Sequence, residues 1–350
     1  MVTFDAKSAG HLDKFLYEKL EVNLGLRFDV VLGNPPYQMN NGSGLNGASA
    51  LYDKFMQLGN KLSQHQVFIV PMRWATHYNA KGIDKQWVIN ELHSNKYVEL
   101  KYFSDSENVF HGTRIRGGVM YYVRDNKYNG KCNITHVEKN YKQVRKLASH
   151  DDSDMLIIDP LAASIIDKVW TARRFSDCIS NTNPFGVETN QQTRPGGLRI
   201  YKSFGKVDTI DINDVQRGNE YIDSFGNIVL RTFGYGDNSD TFELLSTPII
   251  KEPGDICTGS YLLVYPTLSK EVAHRVNKFM QTKFVAYLVD LRKSTHNCTR
   301  DAYRFIPMQD FEGGSDIDFD LSIQEIDEQL YRKYKLSQIE IDHINSKFSN

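Results

Sequence analysis

The sequence predicts an α/β domain with a mostly parallel sheet, followed by a mixed α+β domain and C-terminal helices. Short apolar, β-branched runs alternate with helical patterns up to about residue 150, and this order of elements builds parallel sheets. Beyond that point the chain is rich in Asn, Gly, Thr and aromatic residues, which is typical of an irregular β-rich domain. We therefore predict three parts, at residues 1–150, 151–320 and 321–350.

The first predicted strand covers residues 28–32, with the sequence FDVVL. It ends at Gly33, because the two prolines that follow can continue neither a strand nor a helix. Helical spacing and short apolar runs then predict the other elements. The predicted helices cover 48–62, 85–95, 159–173, 270–292 and 323–348 (one or two helices), and the predicted strands include HQVFIVP, 97–103, 118–123, IVLRTF and YLLVYP.

Composition indicates a cytoplasmic globular protein without a metal site. Apolar residues make up 40% of the chain and charged residues 24%, and no apolar run approaches the roughly 20 residues of a membrane helix. The opening segment is polar and carries acidic residues, unlike an export signal. The four cysteines stand far apart without a CxxC motif, so we predict no zinc site. The net charge of −1 does not indicate nucleic acid, although positive charge can be confined to one face.

The sharpest chemical signal is NPPY, at Asn34–Tyr37, directly after the first strand. Neither Pro35 nor Pro36 has an N–H, so the stiff turn leaves the carbonyl of Pro35 without a local donor. The Asn34 amide oxygen and that carbonyl can both accept hydrogen bonds from one planar NH₂ group. This draws the nitrogen toward tetrahedral geometry and frees its lone pair to attack a sulfonium methyl, while Tyr37 offers a face for a flat base. The alternative is a proline-rich turn without chemistry.

The segment FDVVLGNPPY resembles motif IV of the amino-methyltransferases that use S-adenosylmethionine. Enzymes that methylate glutamine in release factors, and some RNA methyltransferases, resemble it equally well. The later segments VFIVPMRWATHYNAKGID and NVFHGTRIRGGVMYYVRD are similar to catalytic motifs of TaqI-like restriction–modification methyltransferases. In that family an aromatic side chain packs on the flipped adenine, and Phe110 occupies its place. The resemblance implies a partial Rossmann-like sheet, base stacking by Tyr37 and Phe110, and adenine-specific methylation of double-stranded DNA.

The second half of the chain resembles the target-recognition and C-terminal segments of the same methylases, for example in ISNTNPFGVETN and SDIDFDLSIQEIDEQL. A glutamine methyltransferase would not need roughly 180 residues after its catalytic fold, so DNA is the preferred substrate. Between residues 270 and 304 there are eight Lys or Arg against three acids. A solvated basic helix is the alternative explanation of this cluster. From this stretch and the loop 181–199 we predict DNA contacts by Lys278, Lys283, Arg292, Lys293, Arg194 and Arg199.

The cofactor-binding half of such an enzyme is not recognisable. A glycine-rich turn and an acidic residue for the ribose should precede NPPY in βα units of very roughly 30 residues each, whereas 33 residues precede Asn34. We therefore identify no cofactor-binding residue and predict that this chain alone does not bind S-adenosylmethionine tightly. A truncated gene, an expressed fragment and a split enzyme with a second chain all remain open. The alternative function is a catalytically inactive, sequence-specific DNA-recognition module built on residues 175–304.

Overall fold

The computed structural model describes residues 27–39, 49–76, 82–192, 194–231, 245–293 and 297–348. The chain divides into two compact units, Met1–Pro160 and Leu161–Asn350. The finer division into catalytic, target-recognition and tail segments stays a prediction, because compactness does not assign a function to a unit. No helix in the described ranges is both long enough and apolar enough to cross a bilayer.

The first unit is built on one six-stranded sheet. Its strands are β1 (Phe28–Gly33), β4 (Ser63–Pro71), β5 (Tyr97–Phe103), β6 (Val119–Asp125), β7 (Cys132–His136) and β8 (Tyr141–Arg145). A short ribbon pairs β2 (Gln38–Met39) with β3 (Ser49–Ala50). The sheet order is β1-β4-β6-β5-β7-β8. The pairs β1–β4 and β5–β7 are parallel, whereas β6 and β8 run antiparallel to their neighbours, so the sheet is mixed rather than mostly parallel in its pairing.

Three helices of the first unit supply apolar side chains to a core on one face of this sheet. They are α1 (Tyr52–Leu62), α2 (Arg73–Thr76) and α3 (Lys85–His93). Met56, Trp74 and Leu92 pack in one buried cluster with sheet residues such as Phe68 and Tyr122. Alternate residues of the same strands, such as Val67 in β4, stay only half-buried, because successive strand residues point to opposite faces.

The described residues of the second unit form two three-stranded sheets and five helices. The first sheet has the order β10 (Val207–Ile210), β9 (Leu198–Tyr201), β13 (Asp255–Cys257), and the second has the order β12 (Ile249–Lys251), β11 (Phe225–Leu230), β14 (Tyr261–Thr267). The helices are α4 (Pro160–Val169), α5 (Lys270–Met280), α6 (Lys283–Asp290), α7 (Ile323–Lys333) and α8 (Gln338–Ser346).

The single helix predicted over 270–292 is two helices. Thr282 separates them, because its hydroxyl donates to the carbonyl of Phe279 at 2.7 Å and accepts the N–H of Val285 at 3.2 Å. It is thus the N-cap of α6, a position that favours threonine. The two terminal helices are confirmed, and α7 and α8 each begin with a Ser–Glu capping box.

Candidate active site

The carboxyl ends of three strands meet at one edge of the first sheet. β1 is parallel to β4, and both β4 and β5 are antiparallel to β6, so β1, β4 and β5 share a direction. Residues 34–37, 72–76 and 104–118 follow these strands. Ligands of α/β sheets commonly bind outside the carboxyl ends of the strands, so this edge is the candidate active site.

The NPPY segment presents two acceptors that are not used inside the described part of the chain. Asn34 is exposed and Pro35 is buried. Neither the Asn34 amide nor the Pro35 carbonyl has a hydrogen-bond partner among the described residues. The carbonyl of Tyr37 accepts the N–H of Leu51 at 3.1 Å, which attaches the far end of the segment to the start of α1. Neither acceptor is therefore occupied by another described residue, as the predicted amine binding requires.

Tyr37 and Phe110 are brought together although they are distant in sequence. Their ring centroids lie 6.4 Å apart at an interplanar angle of 70°, and Tyr37 meets Tyr52 at 6.3 Å and 81°. These edge-to-face contacts leave no slot for a base between Tyr37 and Phe110, so a base would stack on an outer face of one ring or separate the two. Burial raises the pKa of Tyr37 to about 12, which keeps the phenol neutral at physiological pH.

The loop that carries Phe110 is organised by Ser106, a residue that sequence reasoning missed. Ser106 is 2% exposed. Its hydroxyl donates to the carbonyl of Thr113 at 2.8 Å and accepts the N–H of Ile115 at 2.7 Å, and its own carbonyl accepts the N–H of Phe110 at 2.8 Å. One buried serine thus fixes both arms of the loop 104–118.

Glu138, in the turn between β7 and β8, fastens the start of the same loop. Its carboxylate accepts the backbone N–H groups of Ser104 and Asp105 and the side-chain amide of Asn108, each at 3.1 Å. Burial opposes ionisation, but hydrogen bonds from its own N–H and from those of Ser104 and Asp105 outweigh it, so the pKa of Glu138 is lowered. No local sequence signal marks Glu138, because the three residues that donate to its carboxylate are distant from it in sequence.

Gly118 closes the loop and should not tolerate a side chain. It has φ +72°, and an added Cβ would lie 2.3 Å from the carbonyl oxygen of Phe103. We expect Gly118→Ala to lower the unfolding free energy by more than the 1–2 kcal/mol that the left-handed conformation costs alone, about 3 kcal/mol with the clash. Gly112→Ala is the matched control, because Gly112 has φ +73° and open space around the added atom. If Gly118→Ala and Gly112→Ala shift the urea midpoint equally, the backbone at Phe103 moves away from the added Cβ at no cost in stability.

Asp53 is a second residue that the sequence did not single out. Asp53 lies in α1, within the helix predicted over 48–62, and it is fully buried. Neither oxygen of its carboxylate has a hydrogen-bond partner in the described ranges, and Lys54 Nζ lies 3.4 Å away. Burial raises the pKa of Asp53, with Lys54 opposing the shift. The neutral acid is therefore favoured relative to an exposed aspartate.

Two of the predicted DNA contacts are corrected by the structure. Arg292 is 1% exposed and Lys293 is 6% exposed. The Arg292 Nε–H donates to the carbonyl of Asp301 at 2.6 Å, and its guanidinium lies 5.1 Å from the centre of the Phe305 ring. A phosphate cannot reach side chains that are enclosed in this way. We therefore withdraw Arg292 and Lys293 from the predicted DNA-contacting residues.

The other predicted contacts are accessible, but two of them are already paired. Arg194 makes a two-pronged ion pair with Asp214, with the shortest contact at 2.8 Å. Arg199 makes another with Asp255, at 2.6 and 2.7 Å. Both arginines keep about half or more of their side chains exposed. A phosphate would therefore share or displace a carboxylate at each position.

The two remaining lysines bond to neutral groups. Lys278 Nζ donates to the carbonyls of Asp320 and Leu321 at 2.9 and 3.0 Å. Lys283 is exposed, and its Nζ contacts the amide oxygen of Asn345 at 3.3 Å. Their role in DNA binding stays a prediction.

Comparison with known proteins confirms the resemblance found in the sequence. Residues 5–110 match the family described as Eco57I restriction-modification methylase. An "Uncharacterized adenine-specific methylase" from Mycoplasma pneumoniae is 36% identical over 130 residues, which cover 35% of this chain and 30% of that relative. The chain therefore spans less than a third of the length of this curated relative.

Solved structures of restriction–modification enzymes share weaker similarity. The Type IIL enzyme MmeI in complex with DNA has a TM-score of 0.41 and 9% identity over 91% of this chain and 57% of its own. A type I methyltransferase subunit from Streptococcus thermophilus has a TM-score of 0.28 and 14% identity over 44% of this chain and 34% of its own. At these scores neither structure bears on function.

Proposed function

Because residues 5–110 match the Eco57I restriction-modification methylase family, we propose that the chain is the base-binding and target-recognition part of an adenine-specific DNA methyltransferase. The observation that carries the proposal is the pair of available acceptors at Asn34 and Pro35, at the end of β1 and beside the rings of Tyr37 and Phe110. The relative from Mycoplasma pneumoniae, whose name specifies adenine, supports the choice of base.

The acceptor pair suits an exocyclic amine. The amide oxygen of Asn34 and the carbonyl of Pro35 each accept one hydrogen bond from the 6-amino group, which orients it and raises the electron density on its nitrogen. The target adenine must leave the base stack to reach them, at a cost of a few kcal/mol. An outer face of Tyr37 or Phe110 recovers part of this cost by stacking.

The methyl group in this proposal comes from S-adenosylmethionine. The described residues that directly follow β1 and β4, 34–39 and 72–76, contain no glycine and no carboxylate, so they do not by themselves form a pocket for it. We propose that a further polypeptide supplies this pocket, as in a split enzyme with a second chain.

The exposed side of β1 supports that arrangement. Among the described strands β1 is at the end of the sheet, and Phe28, Val30 and Leu32 are 43%, 47% and 76% exposed. On the neighbouring strand Val67 and Ile69 are only half-buried. Parallel strands are normally covered on both faces, so an apolar patch of this kind fits a protein partner better than water.

Calorimetry tests where the cofactor pocket lies. We expect the isolated chain to bind S-adenosylmethionine no more tightly than about 1 mM, or about −4 kcal/mol. S-adenosylmethionine injected into the chain together with a partner that covers β1 should give saturable heat. A micromolar dissociation constant for the isolated chain would contradict the proposed second polypeptide.

The proposed activity is tested by product analysis. The chain with its cofactor-supplying partner is incubated with labelled S-adenosylmethionine and either duplex DNA or a glutamine-containing release-factor peptide. We expect N6-methyladenine in the DNA and no label in the peptide. Label in cytosine or in the peptide would reject adenine as the substrate, and DNA binding without any transfer would favour the catalytically inactive recognition module.

A further inference from the structure

We propose that Arg114 and Arg116 form a binding site for backbone phosphates of the DNA strand that carries the target base. The inference rests on the proposed function and adds to it the site that holds the strand. Phe110 lies in the same loop and contacts Tyr37. A nucleotide that rotates out of the duplex turns about its own backbone, so the phosphates beside it must be held close to this loop.

Arg114 and Arg116 differ from most described arginines in having no partner among the described residues. Both are exposed, and neither makes an ion pair or a hydrogen bond within the described part of the chain. By contrast, Arg124, Arg194 and Arg199 each contact a carboxylate at 2.6–3.1 Å. A planar guanidinium with all its donors available is suited to two-pronged contact with phosphate oxygens.

The two arginines line a cavity that can accommodate a phosphodiester. The cavity has a volume of about 860 Å³ and is lined by residues 104–107 and 114–117. Between the arginines, Ile115 is half-buried and its N–H is bonded to Ser106. Arg114 and Arg116 are both exposed on either side of this half-buried residue, and both line the cavity.

The backbone beneath this cavity is fixed before any ligand binds. Ser106 bonds both arms of the loop, and Glu138 bonds its first residues. The Tyr102 hydroxyl donates to the carbonyl of Gly117 at 3.4 Å. The next residue, Gly118, accepts the N–H of Met72, directly after β4, at 3.1 Å. A site on a rigid backbone loses less conformational entropy on binding, which favours affinity.

The carboxylates of Asp105 and Glu107 also line the cavity, and their charge allows a second test of the phosphate site. The Asp105 carboxylate accepts the N–H of Glu107 at 3.0 Å and so caps the short 3₁₀ turn that follows. Glu107 itself is exposed. If a phosphate occupies the cavity, the charge of Glu107 opposes its binding, and removal of that charge should strengthen the complex.

The experiment measures duplex affinity of the full chain by fluorescence anisotropy over a series of salt concentrations. Arg114→Ala/Arg116→Ala should weaken binding to all sequences alike and flatten the slope of log affinity against log salt by about two, since each phosphate contact contributes roughly 0.9. Glu107→Gln should strengthen binding. The control is Lys127→Ala/Lys131→Ala, which removes two exposed cations from the turn between β6 and β7.

The outcomes separate this inference from the proposed function. Wild-type affinity and slope in the double arginine variant, or an equal loss in the lysine control, would overturn the phosphate site while leaving the methyltransferase proposal intact. Absence of any duplex binding by the wild-type chain would overturn both. Unchanged thermal unfolding of the double variant checks that the loop is intact, as expected for side chains without internal partners.

Discussion

Asn34→Ala should lower methyl transfer by at least a hundredfold in the assembly that contains the cofactor. The Asn34 oxygen is one of the two acceptors available at the end of β1, and alanine cannot accept a hydrogen bond. Loss of one preorganised polar contact in an active site costs about 10²–10³ in rate, or about 2.7–4 kcal/mol. Affinity for duplex DNA should change by no more than about twofold, because phosphate contacts elsewhere supply most of it. Single-turnover transfer and anisotropy measure the two quantities separately.

Two further variants show whether loss of the hydrogen-bond acceptor of Asn34 is responsible for the slower methyl transfer. Asn34→Asp retains an oxygen at the same position and should keep more activity than the alanine variant. Asn133→Ala removes an exposed amide from β7 of the same sheet and should leave the rate unchanged. Near wild-type turnover in Asn34→Ala would reject this residue as the amine-binding group, whatever its effect on stability.

Local patterns predicted the parts of the site that are contiguous in sequence. An apolar run followed by two prolines predicted β1 and its end at Gly33, directly before the NPPY segment. Strand order is not local. In the sheet β6 lies between β4 and β5, and nothing in the sequence of β6 indicates that it pairs with these two strands.

Charge was the least reliable guide, because a sequence does not show which cations are buried. Arg292 belongs to a basic cluster that reads as a DNA-facing surface, yet it is enclosed and bonded to a carbonyl. Arg114 and Arg116 stand in no such cluster, yet they are exposed and unpaired within the described ranges. Glu138 and Ser106 were missed for the related reason that their partners lie in a loop whose path depends on the fold.

Removal of one partner of the buried ion pair of Glu91 and Arg124 should strongly destabilise the first unit. Arg124 Nε donates to Glu91 at 3.1 Å, and the same carboxylate accepts the Tyr97 hydroxyl at 2.9 Å and the Asn60 amide at 3.2 Å. Glu91 and Arg124 are 8% and 5% exposed. The cluster attaches α3 to β5 and β6, the strands on either side of the loop that carries Phe110.

Glu91→Leu should therefore lower the unfolding free energy by about 3–5 kcal/mol, because it leaves the Arg124 charge buried without a carboxylate to balance it. The double variant Glu91→Leu/Arg124→Met should recover most of that loss, since replacing both charges with apolar groups of similar size is often close to neutral. Glu99→Ala, which removes a half-exposed pair with Lys101, is the control and should cost no more than about 1 kcal/mol. Urea unfolding followed by the fluorescence of Trp74 and Trp87, in a Trp170→Phe background that removes the tryptophan of the second unit, reports on this unit. If Glu91→Leu shifts the urea midpoint by less than Glu99→Ala does, water reaches Arg124 and compensates for the missing carboxylate.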